Sequence, residues 1–214
     1  MTTYNIPSDN PGTPVILGSE TVSGEQLSRV VLIDGATRPT FALVQDREAI
    51  GNFNATGSWS VLSTDTTTLA TSAEHVFGTN SLSFAKVNGA ANTVIGGIQD
   101  TITSIDLSRF GPAAGVEVMM QVSSVANVDK AFVRLGTDSS NYNEWRIDDA
   151  DITAGVWTFK RILLSASENV VGNGWDSSAV TYIAVGTRHD VETDALAAIL
   201  FDSVFMIGAQ MTVT

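Results

Sequence analysis

Short runs of apolar residues, alternating or continuous and each closed by Gly, Asn, Asp or Ser, recur from about residue 51 to the end of the chain. The main runs are GSWSVL, NSLSFAKV, NTVIGGIQDTI, GVEVMMQVSS, KAFVRLGTD, YNEWRI, WTFKRILL, VTYIAVGT and LAAILFDSVFMIG. Because side chains alternate between the two faces of a strand, this pattern predicts many short strands joined by turns. Helical periodicity is nearly absent. The sequence therefore predicts an all-β domain, built as an antiparallel sandwich or barrel.

The first 50 residues have a different composition. Residues 1–20 are rich in Pro, Gly, Thr and Ser, which predicts an extended arm that cannot order itself alone. A hairpin signal, Asp34-Gly35, then separates two apolar runs. These runs predict a small β element with a strand at Val30, Leu32 and Ile33 and a return strand at Phe41 and Leu43. We expect two parts, an arm with its β element over residues 1–50 and the main domain over residues 51–214.

Charge and composition exclude several classes of partner. The chain has a net charge of -12, and its 11 basic residues are scattered singly, so it lacks the cationic surface that nucleic acids require. No apolar run reaches membrane-spanning length, and the N-terminus does not resemble a secretory signal. There are no cysteines, which excludes disulfides and thiolate metal sites. We expect a soluble protein with no nucleic-acid or membrane partner.

Two tryptophans, Trp145 and Trp157, lie twelve positions apart on neighbouring predicted strands. Trp145 shares a strand face with Ile147, whereas Tyr142 and Arg146 lie on the opposite face. Trp157 shares a face with Phe159, so each tryptophan lies on the more apolar side of its strand. Because buried aromatic side chains contribute large apolar areas, the parity predicts that both tryptophans pack in the core.

A family resemblance agrees with this architecture. The stretch RLGTDSSNYNEWRIDDADITAGVWTFKRILL resembles the central part of jelly-roll carbohydrate-binding-module-like domains. The earlier FNATGSWSVL and HVFGTNSLSFAKV resemble the first strands of these domains, and ILFDSVFMIG resembles their closing strand. The resemblance covers residues 53–208. It implies an antiparallel jelly-roll sandwich, preceded by the extended N-terminal arm with its small β element.

The same resemblance implies a structural calcium site. Such modules often hold calcium between a carboxylate near the first strand and an aspartate in the last strand, the position of Asp202. Asn54 stands where the family commonly has glutamate, and the loss of one carboxylate weakens a site for a hard cation. The alternative is a buried Asp202 carboxylate that accepts hydrogen bonds from backbone amides. Apart from this candidate calcium site, we expect no cofactor.

Sugar-binding members of the family display exposed aromatic side chains. Here the candidates for glycan binding are Tyr142 and Arg146, which share a strand face with Glu144, and Trp175 in the Gly-rich turn GNGWDSS. The alternatives are that Trp175 covers the edge of the sandwich, and that Tyr142 and Arg146 belong to an ordinary exposed sheet face.

No catalytic constellation can be singled out from the sequence. The two histidines, His75 and His189, have no second histidine at metal-ligand spacing, and no G-x-S-x-G elbow is present. The acidic residues offer many arbitrary pairs and no distinctive one. We therefore expect a protein that is not an enzyme.

A second resemblance concerns the N-terminal part. The run VSGEQLSRVVLIDGATRPT is similar to the N-terminal regions of tailed-bacteriophage virion proteins. It implies a non-enzymatic virion structural protein, a capsid decoration or head-fibre protein assembled in the host cytoplasm. Such proteins are commonly homotrimers, anchored here to the major capsid protein or another virion protein through Val30, Leu32, Ile33, Phe41 and Leu43. The alternative function is a glycan-binding adhesion module that recognises host or mucosal carbohydrate.

Overall fold

The computed structural model describes strands at 15–22, 25–32 and 40–42, and residues 47–111 and 113–208. The chain forms two compact units. The first contains an antiparallel sheet of three strands: β1 (Val15–Val22), β2 (Glu25–Leu32) and β3 (Thr40–Ala42). Strand β2 contains Val30 and Leu32, and β3 contains Phe41. Phe41 pairs with Val31, which lies between the two. Ile33, Leu43 and the predicted Asp34-Gly35 turn lie outside the described residues.

The second unit spans Arg47–Gly208 and contains two antiparallel sheets. The strands, in chain order, are β4 (Arg47–Ala49), β5 (Ser60–Val61), β6 (Thr66–Ser72), β7 (Ser81–Lys86), β8 (Ile95–Ile105), β9 (Gly115–Val122), β10 (Val128–Asp138), β11 (Asn141–Asp148), β12 (Thr158–Leu163), β13 (Asn169–Val171), β14 (Val180–His189) and β15 (Leu196–Ile207). We call the sheet with order β13-β11-β10-β14-β8-β5 the front sheet, and the sheet with order β12-β9-β15-β7-β6 the back sheet; β4 pairs with β15.

This architecture confirms the predicted all-β antiparallel sandwich. Each of the nine runs singled out in the sequence contributes a strand. Strands β4, β6 and β13 were not predicted, because they are short or polar and carry little apolar alternation. The helices of the described residues are single 3-10 turns at Ser108–Phe110, Asp149–Asp151 and Leu164–Ala166. None of them is long and apolar enough to cross a membrane.

The core is formed by side chains at alternate positions along the strands, which point between the two sheets. Trp145 is fully buried there, as the sequence predicted, and its indole N–H donates to the Leu164 carbonyl oxygen at 3.1 Å. Phe84 and Phe201 stack with ring centroids 6.1 Å apart. Burial of aromatic residues of this size contributes roughly 2–3 kcal/mol each to folding. The core therefore fixes which side of each strand faces outward.

The prediction that Trp157 and Phe159 pack inward is wrong. Trp157 precedes β12 and is partly buried, outside the core cluster, and Phe159 is 52% exposed. Strand β12 lies at the edge of the back sheet, and its register places Phe159 opposite Met119, away from the core. Lys160 and Ile162 pair with core valines of β9, and of the two it is Ile162 that packs against the core. At an edge strand, pairing with the neighbouring strand decides the face even where the apolar residues favour the other one.

Candidate functional site

The outer side of the front sheet carries polar and aromatic residues that are nevertheless buried. In the register, Arg134 lies opposite Glu144 on one side and Ala184 on the other. Two residues further along β10, Gly136 lies between Tyr142 and Tyr182. We call this surface the front face; its most buried members are Phe132, Arg134, Tyr142, Glu144, Tyr182 and Ala184.

Two glycines make room for the aromatic ring of Phe132 on the front face. Gly97 and Gly186 are partners in the register of β8 and β14. A Cβ atom added at Gly186 would lie 2.8 Å from the Phe132 Cζ atom, and one added at Gly97 would lie 2.7 Å from the Leu62 Cδ1 atom. Since real Cβ atoms do not approach this closely, these positions require glycine. This agrees with the close backbone approach that glycine inside a strand favours.

A network of ion pairs crosses the front face. The Glu144 carboxylate is fully buried and accepts hydrogen bonds from Arg134 Nε at 2.6 Å and Arg146 Nε at 2.5 Å. Arg146 also contacts Glu168, and Lys130 pairs with Glu168 at 3.0 Å. Because Arg134, Arg146 and Lys130 each pair with a carboxylate of the network, none of these three cations is left unpaired for a ligand.

The two arginines determine the ionisation of Glu144. Burial on its own would raise the pKa of this carboxyl group. The charges and hydrogen bonds of Arg134 and Arg146 outweigh burial and hold the pKa of Glu144 below its ordinary value. Glu144 is therefore ionised at neutral pH despite having no contact with solvent.

A cleft of about 270 Å³ opens on the front face beside Tyr182. It is lined by residues that each carry a polar group: Ser58, Ser60, Gln99, Asp100, Thr101, Thr137, Asp138, Ser139 and Tyr182. Burial raises the pKa of the Tyr182 phenol, so it keeps its proton, and it donates to Gln99 Oε1 at 3.1 Å. Tyr182 itself is 5% exposed, so the cleft offers mainly hydroxyl, amide and carboxylate groups, which can bind the hydroxyls of a sugar.

The turn between β10 and β11 fixes one wall of this cleft. Asp138 Oδ1 accepts a hydrogen bond from the Ser140 backbone N–H at 2.7 Å. This bond and the Asn141 side chain lower the pKa of Asp138, which is exposed and ionised. A carboxylate anchored in this way is oriented before any ligand arrives.

The sequence-predicted glycan residues do not form one site. Tyr142 and Arg146 lie on the front face together, but Tyr142 is 8% exposed and Arg146 is held in the ion-pair network. Trp175 lies on the other side of the front sheet and packs edge-on against Trp145, with ring centroids 5.3 Å apart. Sequence reasoning did not single out Gln99, Asp138 or Tyr182.

The residues predicted to hold calcium are held by backbone amides. Asn54 Oδ1 accepts hydrogen bonds from the Thr79 N–H, the Thr79 hydroxyl and the Asn80 N–H. Asp202 Oδ2 accepts from the Val76 and Phe77 N–H groups, both at 2.6 Å. These bonds fit the backbone-amide alternative for Asn54 Oδ1 and Asp202 Oδ2, whereas Asp202 Oδ1 is buried without a hydrogen-bond partner among the described residues. Within the described ranges, no group of three or more metal-ligating side chains converges. A calcium site at Asn54 and Asp202 stays a prediction.

Comparisons with known proteins identify the fold. No protein-family model matches the chain, and no curated protein sequence matches it. Among solved structures, the family 11 carbohydrate-binding module of Clostridium thermocellum, in complex with a β-1,3-1,4-mixed-linked tetrasaccharide, has a TM-score of 0.55 at 11% identity, covering 78% of this chain and 98% of the module. An agarase has a TM-score of 0.50 at 12% identity, covering 79% of this chain and 25% of the enzyme. A family 30 carbohydrate-binding module has a TM-score of 0.49 at 14% identity, covering 77% and 98%.

The likeness to the family 11 module confirms the predicted jelly-roll sandwich of the carbohydrate-binding-module type. At such low sequence identity it shows the fold alone. Nothing in the comparisons supports the virion role, the capsid partner or the trimer that the N-terminal resemblance implied.

Proposed function

We propose that this chain is a non-catalytic carbohydrate-binding module and that the cleft beside Tyr182 on the front face binds the sugar. The observation that carries this proposal is the set of hydroxyl, amide and carboxylate side chains that line that cleft. Hydrogen-bonding side chains fix the orientation of a sugar. Tyr182 is only 5% exposed, so its role is to hold the Gln99 amide in place through its hydroxyl. The similar fold of the family 11 module, which was solved with a bound tetrasaccharide, supports the same class of function.

The charges near the cleft favour a neutral sugar over an acidic one. The nearby cations Arg134, Arg146 and Lys130 are already paired with carboxylates. Asp138 adds a negative charge at the rim, and the whole chain carries a net charge of -12. A uronic acid or a sulfated sugar would therefore be repelled, whereas an uncharged sugar can donate its hydroxyl protons to Asp138 and Gln99.

We expect Gln99→Ala to weaken binding of a neutral oligosaccharide about tenfold or more, which corresponds to about 1.4 kcal/mol. The substitution removes an amide from the cleft and leaves the Tyr182 hydroxyl without its acceptor. Isothermal titration calorimetry with a mixed-linked β-glucan tetrasaccharide and with agarose oligosaccharides measures the change.

The matched control is Gln121→Ala. Gln121 is also a partly buried glutamine in a strand, but it lies in the back sheet, where its amide donates to the Gly155 carbonyl oxygen. This variant should bind like the wild type. Equal affinities for the Gln99→Ala variant and the wild type would contradict the assignment of the cleft.

The virion role stays a prediction from the sequence, as do the trimer and the anchoring residues Val30, Leu32, Ile33, Phe41 and Leu43. A decoration protein can carry a sugar-binding module, so the two functions are compatible. The front-face cleft favours only the second of them.

A further inference from the structure

A second cleft lies where three loops of the sandwich unit meet. It has a volume of about 380 Å³ and is lined mainly by Leu107, Ser108, Leu164, Ser165, Trp175 and Ser177. Leu107 and Ser108 follow β8, and Leu164 and Ser165 follow β12. Trp175 and Ser177 precede β14. We call this cleft the end pocket. Its partly buried tryptophan, two leucines and three serine hydroxyls combine an apolar wall with hydrogen-bonding groups.

The Trp175 indole N–H has no acceptor among the described residues. In contrast, the N–H of Trp59 donates to the Asn52 carbonyl oxygen at 2.8 Å, and that of Trp145 donates to the Leu164 carbonyl oxygen at 3.1 Å. Trp175 is only partly buried, and its Nε1 atom is not among the buried atoms without a partner, so this N–H faces solvent. Trp175 therefore offers a donor, as well as part of its ring, to whatever enters the end pocket.

The walls of the end pocket are fixed by hydrogen bonds. The Leu107 N–H donates to the Ser177 carbonyl oxygen at 2.7 Å, which joins two of the three loops. The Leu164 backbone N–H donates to the Ala114 carbonyl oxygen at 2.9 Å, and the Trp175 backbone N–H donates to Asn143 Oδ1 at 3.1 Å. Because these walls are ordered before binding, the binding free energy is not reduced by the entropy of ordering them.

The end pocket and the front-face cleft lie on opposite sides of the front sheet. Trp175 packs against Trp145, whose side chain points to the core, whereas Tyr142 and Tyr182 belong to the front face. The two sites can therefore be altered separately by substitution.

Carboxylates beside the end pocket decide which ligands it can take. Asp106 precedes the lining residues Leu107 and Ser108, and Asp176 lies between Trp175 and Ser177. Hydrogen bonds from Ser108 lower the pKa of Asp106, and those from Ser178 lower the pKa of Asp176. Both groups are ionised at neutral pH, so the surroundings of the pocket are negative and exclude anionic ligands.

We propose that the end pocket is a second carbohydrate subsite, which binds one neutral sugar residue against the Trp175 indole with Ser108, Ser165 and Ser177 around it. This proposal rests on the proposed carbohydrate-binding function, but it concerns a different part of the molecule. The C–H face of the sugar contacts the indole, and its hydroxyls meet the indole N–H and the serine hydroxyls.

The test follows the side-chain signals of the ¹⁵N-labelled protein by nuclear magnetic resonance. The probes are a mixed-linked β-glucan tetrasaccharide, agarose oligosaccharides and, as an anionic comparison, an oligogalacturonate. The chain has four tryptophans, and Trp175→Phe and Trp157→Phe assign two of the indole signals. We expect a neutral probe to shift the Trp175 signal to saturation, while the Trp157 signal and the response to oligogalacturonate stay flat.

Trp157 is the matched internal control, because it too is partly buried and donates to no described residue. Ser165→Arg places a bulky side chain at the mouth of the pocket from an exposed position, which should leave the fold intact. It should abolish the Trp175 shift and preserve the shift of the Gln99 side-chain amide in the front-face cleft.

The outcomes separate the two sites. A Gln99 shift without a Trp175 shift would overturn the end-pocket proposal and leave the front-face site standing. A Trp175 shift that persists in the Gln99→Ala variant supports the end-pocket proposal independently of the front-face cleft. A Trp175 shift that disappears in that variant is an indirect effect of binding at the front-face cleft, and it overturns the end-pocket proposal. If neither signal moves at millimolar concentrations of any probe, both proposals fail.

Discussion

Replacing Lys86 by methionine is expected to lower the free energy of unfolding by about 3 kcal/mol. Lys86 is 1% exposed, and its ammonium group donates to the carbonyl oxygens of Val87, Glu192 and Asp194 at 2.9, 3.0 and 3.0 Å. Methionine keeps most of the length of the side chain but removes the charge and all three donors. Three carbonyl groups would then lose their partner in a site with almost no solvent.

Urea unfolding at neutral pH measures this effect as a lower midpoint at an unchanged slope. The control is Lys160→Met, since Lys160 forms a solvent-exposed ion pair with Asp151 and should contribute less than about 1 kcal/mol. If the two variants are equally stable, the carbonyl oxygens around Lys86 do not depend on its ammonium group.

Replacing Glu144 by glutamine is expected to destabilise the sandwich by about 3 kcal/mol at neutral pH. The carboxylate is fully buried between two arginines, and its loss leaves Arg134, itself 7% exposed, without its counter-charge. Glu168→Gln is the control, because Glu168 lies at the exposed end of the same network and should cost less than about 1 kcal/mol.

The effect of Glu144 also has a predicted pH dependence. Its pKa is lower in the folded protein than in the unfolded chain, so its contribution to stability is complete above the unfolded value of about 4.3. The contribution is lost as the pH falls through the lower folded pKa. The stability difference between wild type and Glu144→Gln should therefore be constant near neutrality and shrink in acid. A difference that stays constant down to acidic pH would show that Glu144 does not act through its charge.

Alternation along single strands made the sandwich predictable from the sequence, because each strand carries its own information about which face is apolar. Trp145 was placed correctly in the core by this parity. The same rule failed for Phe159, because an edge strand has only one neighbour and takes its orientation from the register with β9. Parity also placed Tyr142, Glu144 and Arg146 on one face, but it could not show that this face is buried and ion-paired.

The candidate sites were much less predictable. Tyr182 and Gln99 form one hydrogen bond across 83 positions of sequence, and no local motif marks either residue. Lys86 looks like an ordinary lysine at the end of a strand, and its burial depends on carbonyl groups more than 100 residues away. The pairing of distant strands creates these environments, so they appear only in the folded chain. Trp175 was singled out from its Gly-rich turn, but its separation from Tyr142 required the structure.

The most direct test of the central claim is affinity electrophoresis of the full chain in gels that contain mixed-linked β-glucan, agarose or other neutral polysaccharides. Carbohydrate binding through the front-face cleft predicts that at least one neutral polysaccharide retards the wild type. It also predicts that Gln99→Ala is retarded less, that Gln121→Ala is retarded like the wild type, and that an acidic polysaccharide has no effect. Unretarded migration of the wild type in every neutral polysaccharide would contradict the proposed function.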